Sequence, residues 1–257
     1  GYKYIHDQTL RLASQGYTPR EIAETLEMPS SLRNNFSNRG YYGTLRHNAK
    51  AVYQMYFGWY DGNPANLNPL PPREAAAKYV RMMGGAEAIL SQAQADFELG
   101  EYRWVAELLN HLVFAQPDNQ QAKALLADPY DQLGYQSESG PWRDSYLAGA
   151  LELRQGAPAK GLGIANAGDL IGATPVAEFM ELLAVMLTGP KADGKHFVVN
   201  IEFTDLGETY VLSLENAVLH PREGDADANA NATIRITHPM FVKMLTGNAG
   251  FRDILFS

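Results

Sequence analysis

The chain of 257 residues contains no cysteine, which excludes a disulfide framework and thiolate ligands for a metal ion. No apolar run reaches the roughly 18 to 20 residues that a membrane-spanning helix needs, so no membrane span is predicted. Basic residues are also scarce: 21 Lys and Arg stand against 29 Asp and Glu, a net charge of −8. Without a basic face for a phosphate backbone, nucleic acid is not an expected partner.

The six histidines are scattered along the chain. No two of them have the short spacing that places a pair of imidazoles on one metal ion. They are His6, His47, His111, His196, His220 and His238. With no cysteine to replace a histidine ligand, the residues predict no metal site within this chain.

The segment with the highest density of potentially functional residues is residues 39–67, which read RGYYGTLRHNAKAVYQMYFGWYDGNPANL. This stretch holds seven aromatic residues, four glycines and one histidine. Glycine lets the backbone approach a ligand, tyrosine adds a hydroxyl to an apolar ring, and histidine titrates near neutral pH. The composition therefore indicates a site and not a simple amphipathic element.

Residues 1–68 are predicted to begin with two short helices. A Thr-Pro-x-Glu capping box at residues 18–21 starts the second of them. The Asn-rich stretch at residues 30–40 is predicted as a loop, because asparagine and serine favour turns over helix interiors. Residues 44–57 are predicted as a further helix.

Residues 69–156 predict an all-helical domain, because Gly and Pro separate stretches of helix formers. Residues 93–117 carry the small-residue and proline spacing of one tetratricopeptide-like hairpin. Pro129 is expected to begin a new turn, because a proline inside a helix removes a hydrogen bond. The apolar content of residues 105–114 exceeds what one hairpin can bury, which predicts self-association.

Residues 157–160 form a predicted linker, and the composition then changes to that of an α+β domain over residues 161–257. Alternation of β-branched residues predicts three strands, the first two as a hairpin, at residues 196–205, 208–221 and 230–237. A helix capped by Thr174 is predicted at residues 175–187. Its apolar face suits either a core or a tunnel for an alkyl chain.

Three segments resemble the zinc-dependent alkyl sulfatases, whose catalytic domain has a metallo-β-lactamase fold. They are residues 39–67, PLPPREAAAKYVRMMGG at residues 69–85 and LGYQSESGPWRDSYLAGALELRQG at residues 133–156. The resemblance implies that residues 1–68 are the C-terminal remnant of the catalytic domain. It further implies a helical homodimerisation domain at residues 69–156 and a sterol-carrier-protein-like α+β domain at residues 161–257.

The resemblance also implies features that this sequence lacks. The family binds two zinc ions with a His-x-His-x-Asp-His cluster, two glutamates and a further histidine, and none of these motifs is present. The chain is therefore expected to be the C-terminal part of a longer enzyme, inactive alone, and to end before its last domain is complete. The longer enzyme would hydrolyse alkyl sulfate esters such as dodecyl sulfate with a zinc-activated water.

The resemblance favours a bacterial periplasmic or secreted location, although the residues themselves leave the compartment open. From the residues alone, a second kind of function stays open. The chain would then be a non-catalytic dimeric scaffold or a protein that binds an apolar ligand such as a lipid.

By the resemblance, His47 contacts the sulfate group and helps to protonate the leaving oxygen. The further candidates for binding the substrate are Tyr42, Thr44, Asn48, Tyr53 and Tyr56. The alternative for His47 is a structural histidine at a helix start, and for the other five it is packing in a core or loop. Such chemistry needs hydrogen-bond donors around an anion and an acid for the departing alkoxide.

The remaining conspicuous side chains have simpler expected roles. Arg39 and Arg46 either attract the anionic substrate or are only solvated. The other side chains are expected to have structural roles or to anchor helix packing; they are His6, His111, Trp59, Trp104 and Trp142.

Overall fold

The computed structural model describes residues 1–159 and 168–249. The chain divides after Pro158 into two compact units. The first unit is helical and the second combines a small sheet with helices, which confirms the fold class predicted from the sequence. The finer division at residues 68 and 69 stays a prediction. Parts of the predicted linker and last domain, residues 160–167 and 250–257, lie outside the described residues.

Nine α-helices and two 3₁₀ turns make up the described part of the first unit. The helices are α1 (Tyr2–Ala13), α2 (Pro19–Thr25), α3 (Ser30–Arg33), α4 (Leu45–Phe57), α5 (Pro72–Met82), α6 (Ala86–Glu98), α7 (Tyr102–Ala115), α8 (Gln120–Gln136) and α9 (Gly140–Gln155). The 3₁₀ turns span Phe36–Asn38 and Pro64–Asn66. Among the described residues of both units, no helix is long and apolar enough to cross a membrane.

Local capping signals explain how several of these elements begin. The predicted capping box is confirmed, because the Glu21 N–H donates to the Thr18 hydroxyl and the Thr18 N–H donates to the Glu21 carboxylate. The prediction of a continuous loop at residues 30–40 is wrong, because α3 and a 3₁₀ turn form there. The Asn35 side chain accepts from the Ser37 N–H at 2.9 Å and caps that turn.

Pro129 lies inside α8, so the prediction that it begins a new turn is wrong. Its side chain is fully buried, and α8 packs along both α7 and α9. Burial of neighbouring side chains such as Leu126 stabilises the helix through this position. That packing outweighs the one backbone hydrogen bond that proline cannot make.

Two buried clusters hold the helical unit together. One joins α5 to α8 through Val80, Ile89, Ala93, Val105, Leu108, Leu109, Leu112, Ala122 and Leu126. The other joins α1, α2 and α4 through Ile5, Leu12, Ile22, Leu26, Ala49 and Tyr53. The chain itself thus covers most of the apolar side chains of α7, so their number does not indicate a partner.

The second unit contains a four-stranded sheet in the order β3-β2-β1-β4. The strands are β1 (Phe197–Phe203), β2 (Glu208–Glu215), β3 (Val218–Glu223) and β4 (Ala232–Ile236). The described helices are α10 (Gly168–Ala173), α11 (Val176–Met186), α12 (Gly189–Ala192) and α13 (His238–Leu245). β1 pairs antiparallel with β2 and parallel with β4.

The β1–β2 hairpin confirms the first predicted strand pair, with Phe203 opposite Glu208. The predicted strand at residues 208–221 is wrong in length, because it folds into two strands. Asn216 and Ala217 have φ values of 50° and 61° and turn the chain between β2 and β3. Such left-handed residues suit a two-residue hairpin turn, but alanine carries no sequence signal for it.

Helix α11 has a mixed environment. Phe179 and Met180 belong to the buried core with the sheet, whereas Leu182, Val185 and Met186 are exposed. The predicted Thr174 cap is wrong, because no side chain caps α11. The Thr174 hydroxyl donates instead to the Leu170 carbonyl, which belongs to the preceding helix α10.

Candidate functional site

An open cavity of about 1120 Å³ in the helical unit gathers charged and aromatic side chains. Its walls come from α2, from the segment between α3 and α4, and from the first turns of α4. Arg33 of α3, Arg103 of α7, the end of α8 and the start of α9 also line the cavity. Sequence-distant segments thus meet here, around the part of the chain in which His47 lies.

Two helices begin at this cavity. The Thr44 hydroxyl accepts from the His47 N–H at 2.9 Å and caps α4. The Ser139 hydroxyl accepts from the Trp142 N–H at 3.4 Å and caps α9 in the same way. Because the N-terminus of a helix carries partial positive charge, both helix starts favour an anion in the cavity.

Hydrogen bonds hold the start of α9 against the segment that precedes α4. The Gly140 N–H donates to the Tyr41 carbonyl at 2.8 Å. The Ser139 hydroxyl, on a side chain with 1% exposure, donates to the Tyr42 carbonyl. These contacts fix the positions of the two capped helix starts relative to each other.

Cations outnumber carboxylates along the cavity wall. The cations are Arg33, Arg39, Arg46, Lys50 and Arg103, and the carboxylates are Glu24 and Glu138. Arg33 also pairs with Glu27, which is not part of the wall. Since the chain as a whole is acidic, this concentration of positive charge distinguishes the cavity from the rest of the protein.

Ion pairs position several of these cations. Glu24 lies 3.0 Å from Arg103 and 3.2 Å from Arg46, and one carboxylate cannot neutralise both guanidinium groups. The hydrogen bond from Arg103 lowers the pKa of Glu24 below its ordinary 4.5, and nearby charges including Arg46 add to the effect. Arg39 donates from Nε to Glu138 at 2.6 Å. Positive charge therefore remains in the cavity after pairing.

His47 contacts the indole of Trp142. The Trp142 Nε1–H donates to the His47 Nδ1 at 3.2 Å, and the two rings meet edge to face with centroids 6.3 Å apart. The Lys50 ammonium lies 5.7 Å from the centroid of the same indole, which suits a cation–π contact. Among the described residues, Nε2 of His47 makes no hydrogen bond, so this nitrogen is available to a ligand.

The six residues predicted from the sequence occupy different places. His47 and Thr44 border the cavity together, whereas the Asn48 amide lies against Gly43 and does not border it. Tyr42 contributes its carbonyl, but its side chain is 82% exposed and not part of the wall. Their binding roles stay predictions.

The two later tyrosines point elsewhere because they lie on other faces of α4. Tyr53 has 8% exposure and belongs to the core with Ala49, one turn earlier. The Tyr56 hydroxyl meets the His6 Nε2 at 2.9 Å outside the cavity. The structure thus brings neither of them to His47.

The cavity includes residues whose role was not predicted from the sequence. Trp142 was expected to anchor helix packing, but its N–H binds His47 and its side chain lines the wall. Lys50 follows His47 by three residues, a spacing that places both on one helix face, so this signal was available. Glu24, Arg103 and Glu138 carried no such local signal.

The described residues do not fit a zinc site. Within residues 1–159 and 168–249, no three His, Asp or Glu side chains come together as metal ligands. In the cavity, arginines engage both carboxylates and the Nδ1 of His47 accepts from an indole. Protein zinc sites use three or four ligands, which this arrangement does not supply.

Two sequence families match the chain. Residues 18–156 match the family described as "Alkyl sulfatase dimerisation", and residues 165–257 match "Alkyl sulfatase C-terminal". The "Alkyl/aryl-sulfatase BDS1" of Saccharomyces cerevisiae is 52% identical over 256 residues, which cover 100% of this chain and 39% of that protein. A "Linear primary-alkylsulfatase" of Pseudomonas sp is 47% identical over 252 residues, 98% of this chain and 37% of that protein.

The fold is similar to that of a solved structure. The "stereoselective inverting sec-alkylsulfatase Pisa1 from Pseudomonas sp." superposes with a TM-score of 0.92 at 40% identity. The similarity covers 99% of this chain and 40% of that one. The chain thus spans about two fifths of the length of the relatives that it matches.

Proposed function

Because this chain belongs to the alkyl sulfatase family, we propose that it is part of an enzyme that hydrolyses alkyl sulfate esters to an alcohol and inorganic sulfate. The observation that supports this most directly is the cationic cavity into which two helix starts and His47 project. A sulfate ester is a monoanion with three free oxygens. It suits a site that combines positive charge with hydrogen-bond donors.

The helix starts, His47 and two of the cations have roles in this proposal. Arg46 and Lys50 attract the sulfate group, and the first turns of α4 and α9 add their partial positive charge. The Nε2–H of His47 donates to a sulfate oxygen. These groups hold the ester by its sulfate group and stabilise the negative charge on the sulfate oxygens, whether the S–O or the C–O bond of the ester breaks.

We propose zinc as a cofactor of the longer enzyme only. The resemblance implies it, and the described residues of this chain do not fit a zinc site. The ligands would therefore come from other parts of that enzyme, and the contribution of this chain is the sulfate-binding cavity.

Release of inorganic sulfate tests the proposal. The longer enzyme, loaded with zinc, is expected to release sulfate from dodecyl sulfate, as measured by ion chromatography. The chain of 257 residues, tested with the same zinc and substrate, is expected to release none, because it does not provide a zinc site. If the longer protein binds dodecyl sulfate without hydrolysing it, the non-catalytic binding protein becomes the better interpretation.

We also propose that the chain forms a homodimer through its helical unit, in keeping with the dimerisation family that residues 18–156 match. Helices α5 and α7 expose large apolar side chains that a partner would cover, namely Tyr79, Met82, Trp104 and Phe114. Light scattering is expected to give twice the 28.3 kDa of one chain. A monomer at tens of micromolar chain would contradict the proposal.

A further inference from the structure

We propose that Trp142 is a positioning residue, which holds His47 as the neutral tautomer with its proton on Nε2. His47 then acts as a hydrogen-bond donor to the sulfate and not as the acid that protonates the leaving alkoxide. This inference rests on the proposed function, because it assigns a ligand to the His47 ring.

The chemistry of the two rings determines the proton position. An indole nitrogen can only donate a hydrogen bond, so the His47 Nδ1, 3.2 Å from the Trp142 Nε1, must accept it. A ring whose Nδ1 accepts carries its proton on Nε2. That nitrogen has no other partner among the described residues, and His47 borders the cavity.

One backbone contact and one side-chain contact hold Trp142 in place. The backbone N–H of Trp142 donates to the Ser139 hydroxyl, which donates in turn to the Tyr42 carbonyl. The Lys50 ammonium covers the ring, 5.7 Å from its centroid. Lys50 and His47 lie one turn apart on α4, so the indole spans both side chains and is oriented relative to that helix.

The tautomer decides what His47 can do. With the proton on Nε2, the ring donates to a sulfate oxygen, whereas the other tautomer would turn a lone pair towards the anion. A neutral imidazole is also a far weaker acid than an imidazolium. His47 therefore keeps its proton during the reaction, and the contact with the sulfate is its contribution.

Nitrogen-15 NMR of the histidine-labelled chain tests the tautomer without any activity. The His47 signals, assigned by their loss in His47→Gln, are expected to show an unprotonated Nδ1 and a protonated Nε2. Trp142→Phe keeps an aromatic ring but removes the donor, and it is expected to shift the Nδ1 signal. A protonated Nδ1 in the unmodified chain would overturn the inference, and so would a Nδ1 signal that Trp142→Phe leaves in place.

Trp104→Phe is the matched control. The Nε1–H of Trp104, on α7, donates to the carboxylate of Asp96, on α6, at 3.0 Å. Trp104 does not border the cavity. This variant also loses one indole donor, and it is expected to leave the His47 signals unchanged. If both variants changed the His47 shift by the same amount, the change would reflect a general loss of packing in the helical unit and not the loss of the Trp142 donor. That result would also overturn the inference.

Kinetics of the longer enzyme separate positioning from a merely structural role. Trp142→Phe is expected to lower kcat/KM for hexyl sulfate about 3- to 10-fold, the loss of one neutral hydrogen bond. In a His47→Ala background, the same substitution is expected to have no further effect, because Trp142 acts through His47. An equal loss in both backgrounds would overturn the inference. Absence of hydrolysis in the unmodified enzyme would instead reject the proposed function, and the NMR result would stand independently.

Discussion

Replacing His47 by alanine in the longer enzyme is expected to lower the turnover of alkyl sulfates by about 10²–10³-fold. The substitution removes the Nε2–H donor that His47 presents to the cavity, and a donor held in place for the anionic sulfate stabilises the transition state more than a mobile water molecule does. Initial rates of sulfate release measure the effect. Zinc content and dimer mass are expected to stay unchanged, because His47 belongs to no group of metal-ligating side chains among the described residues and the dimer is proposed to form through other helices.

The leaving group distinguishes the two roles that the sequence leaves open for His47. If His47 donates a hydrogen bond to the sulfate, its loss slows hexyl sulfate and 4-nitrophenyl sulfate alike. If it protonates the leaving oxygen, the nitrophenyl ester is largely spared, because nitrophenolate leaves without a proton. We expect equal slowing. His111→Ala is the control and is expected to keep its turnover, since His111 stacks on Tyr79 outside the cavity. Unchanged turnover in His47→Ala would make His47 a structural residue.

Leu109→Ala is expected to lower the free energy of unfolding of the helical unit by about 2–5 kcal/mol. Leu109 has 0% exposure and lies in the core that joins α5 to α8, so the substitution leaves a cavity as well as losing buried apolar surface. Chemical denaturation of the chain, followed by the circular dichroism of the helices, measures the change. Since the chain has two compact units, the transition of the helical unit is the relevant one.

Leu99→Ala provides the comparison for this substitution. Leu99 follows α6 and is 78% exposed, so its loss is expected to change the free energy of unfolding by no more than about 0.5 kcal/mol. The destabilisation by Leu109→Ala is also expected to be independent of chain concentration, because the chain itself covers this side chain. A concentration-dependent effect would place Leu109 in the dimer interface and contradict the described core.

The sequence by itself determined the elements that depend on interactions between near neighbours. The capping box at residues 18–21 involves groups three residues apart, so the pattern predicts the start of α2. Alternating β-branched residues likewise predicted the β1–β2 hairpin. His47 and Thr44 lie at one helix start for the same reason: they are three residues apart, and Thr44 caps the helix by accepting from the His47 N–H.

Packing decided the elements for which local signals conflict. Pro129 is unfavourable in a helix by its own chemistry, and burial of α8 between α7 and α9 overrides that preference. Asn216 and Ala217 turn the chain within a run of strand formers. No local preference of alanine indicates that turn, so the pairing of β2 with β3 decides it.

Only the tertiary structure assembled the cavity. Trp142 is 95 residues from His47, and Glu138 is 99 residues from Arg39, so no spacing in the sequence connects them. The choice among the tyrosines of α4 has the same cause. Tyr53 turns into the core and Tyr56 towards His6, because the helices that pack against α4 determine which face is buried. Sequence patterns specify helix starts and strand pairs within a few residues, whereas contacts between distant segments exist only after those elements pack.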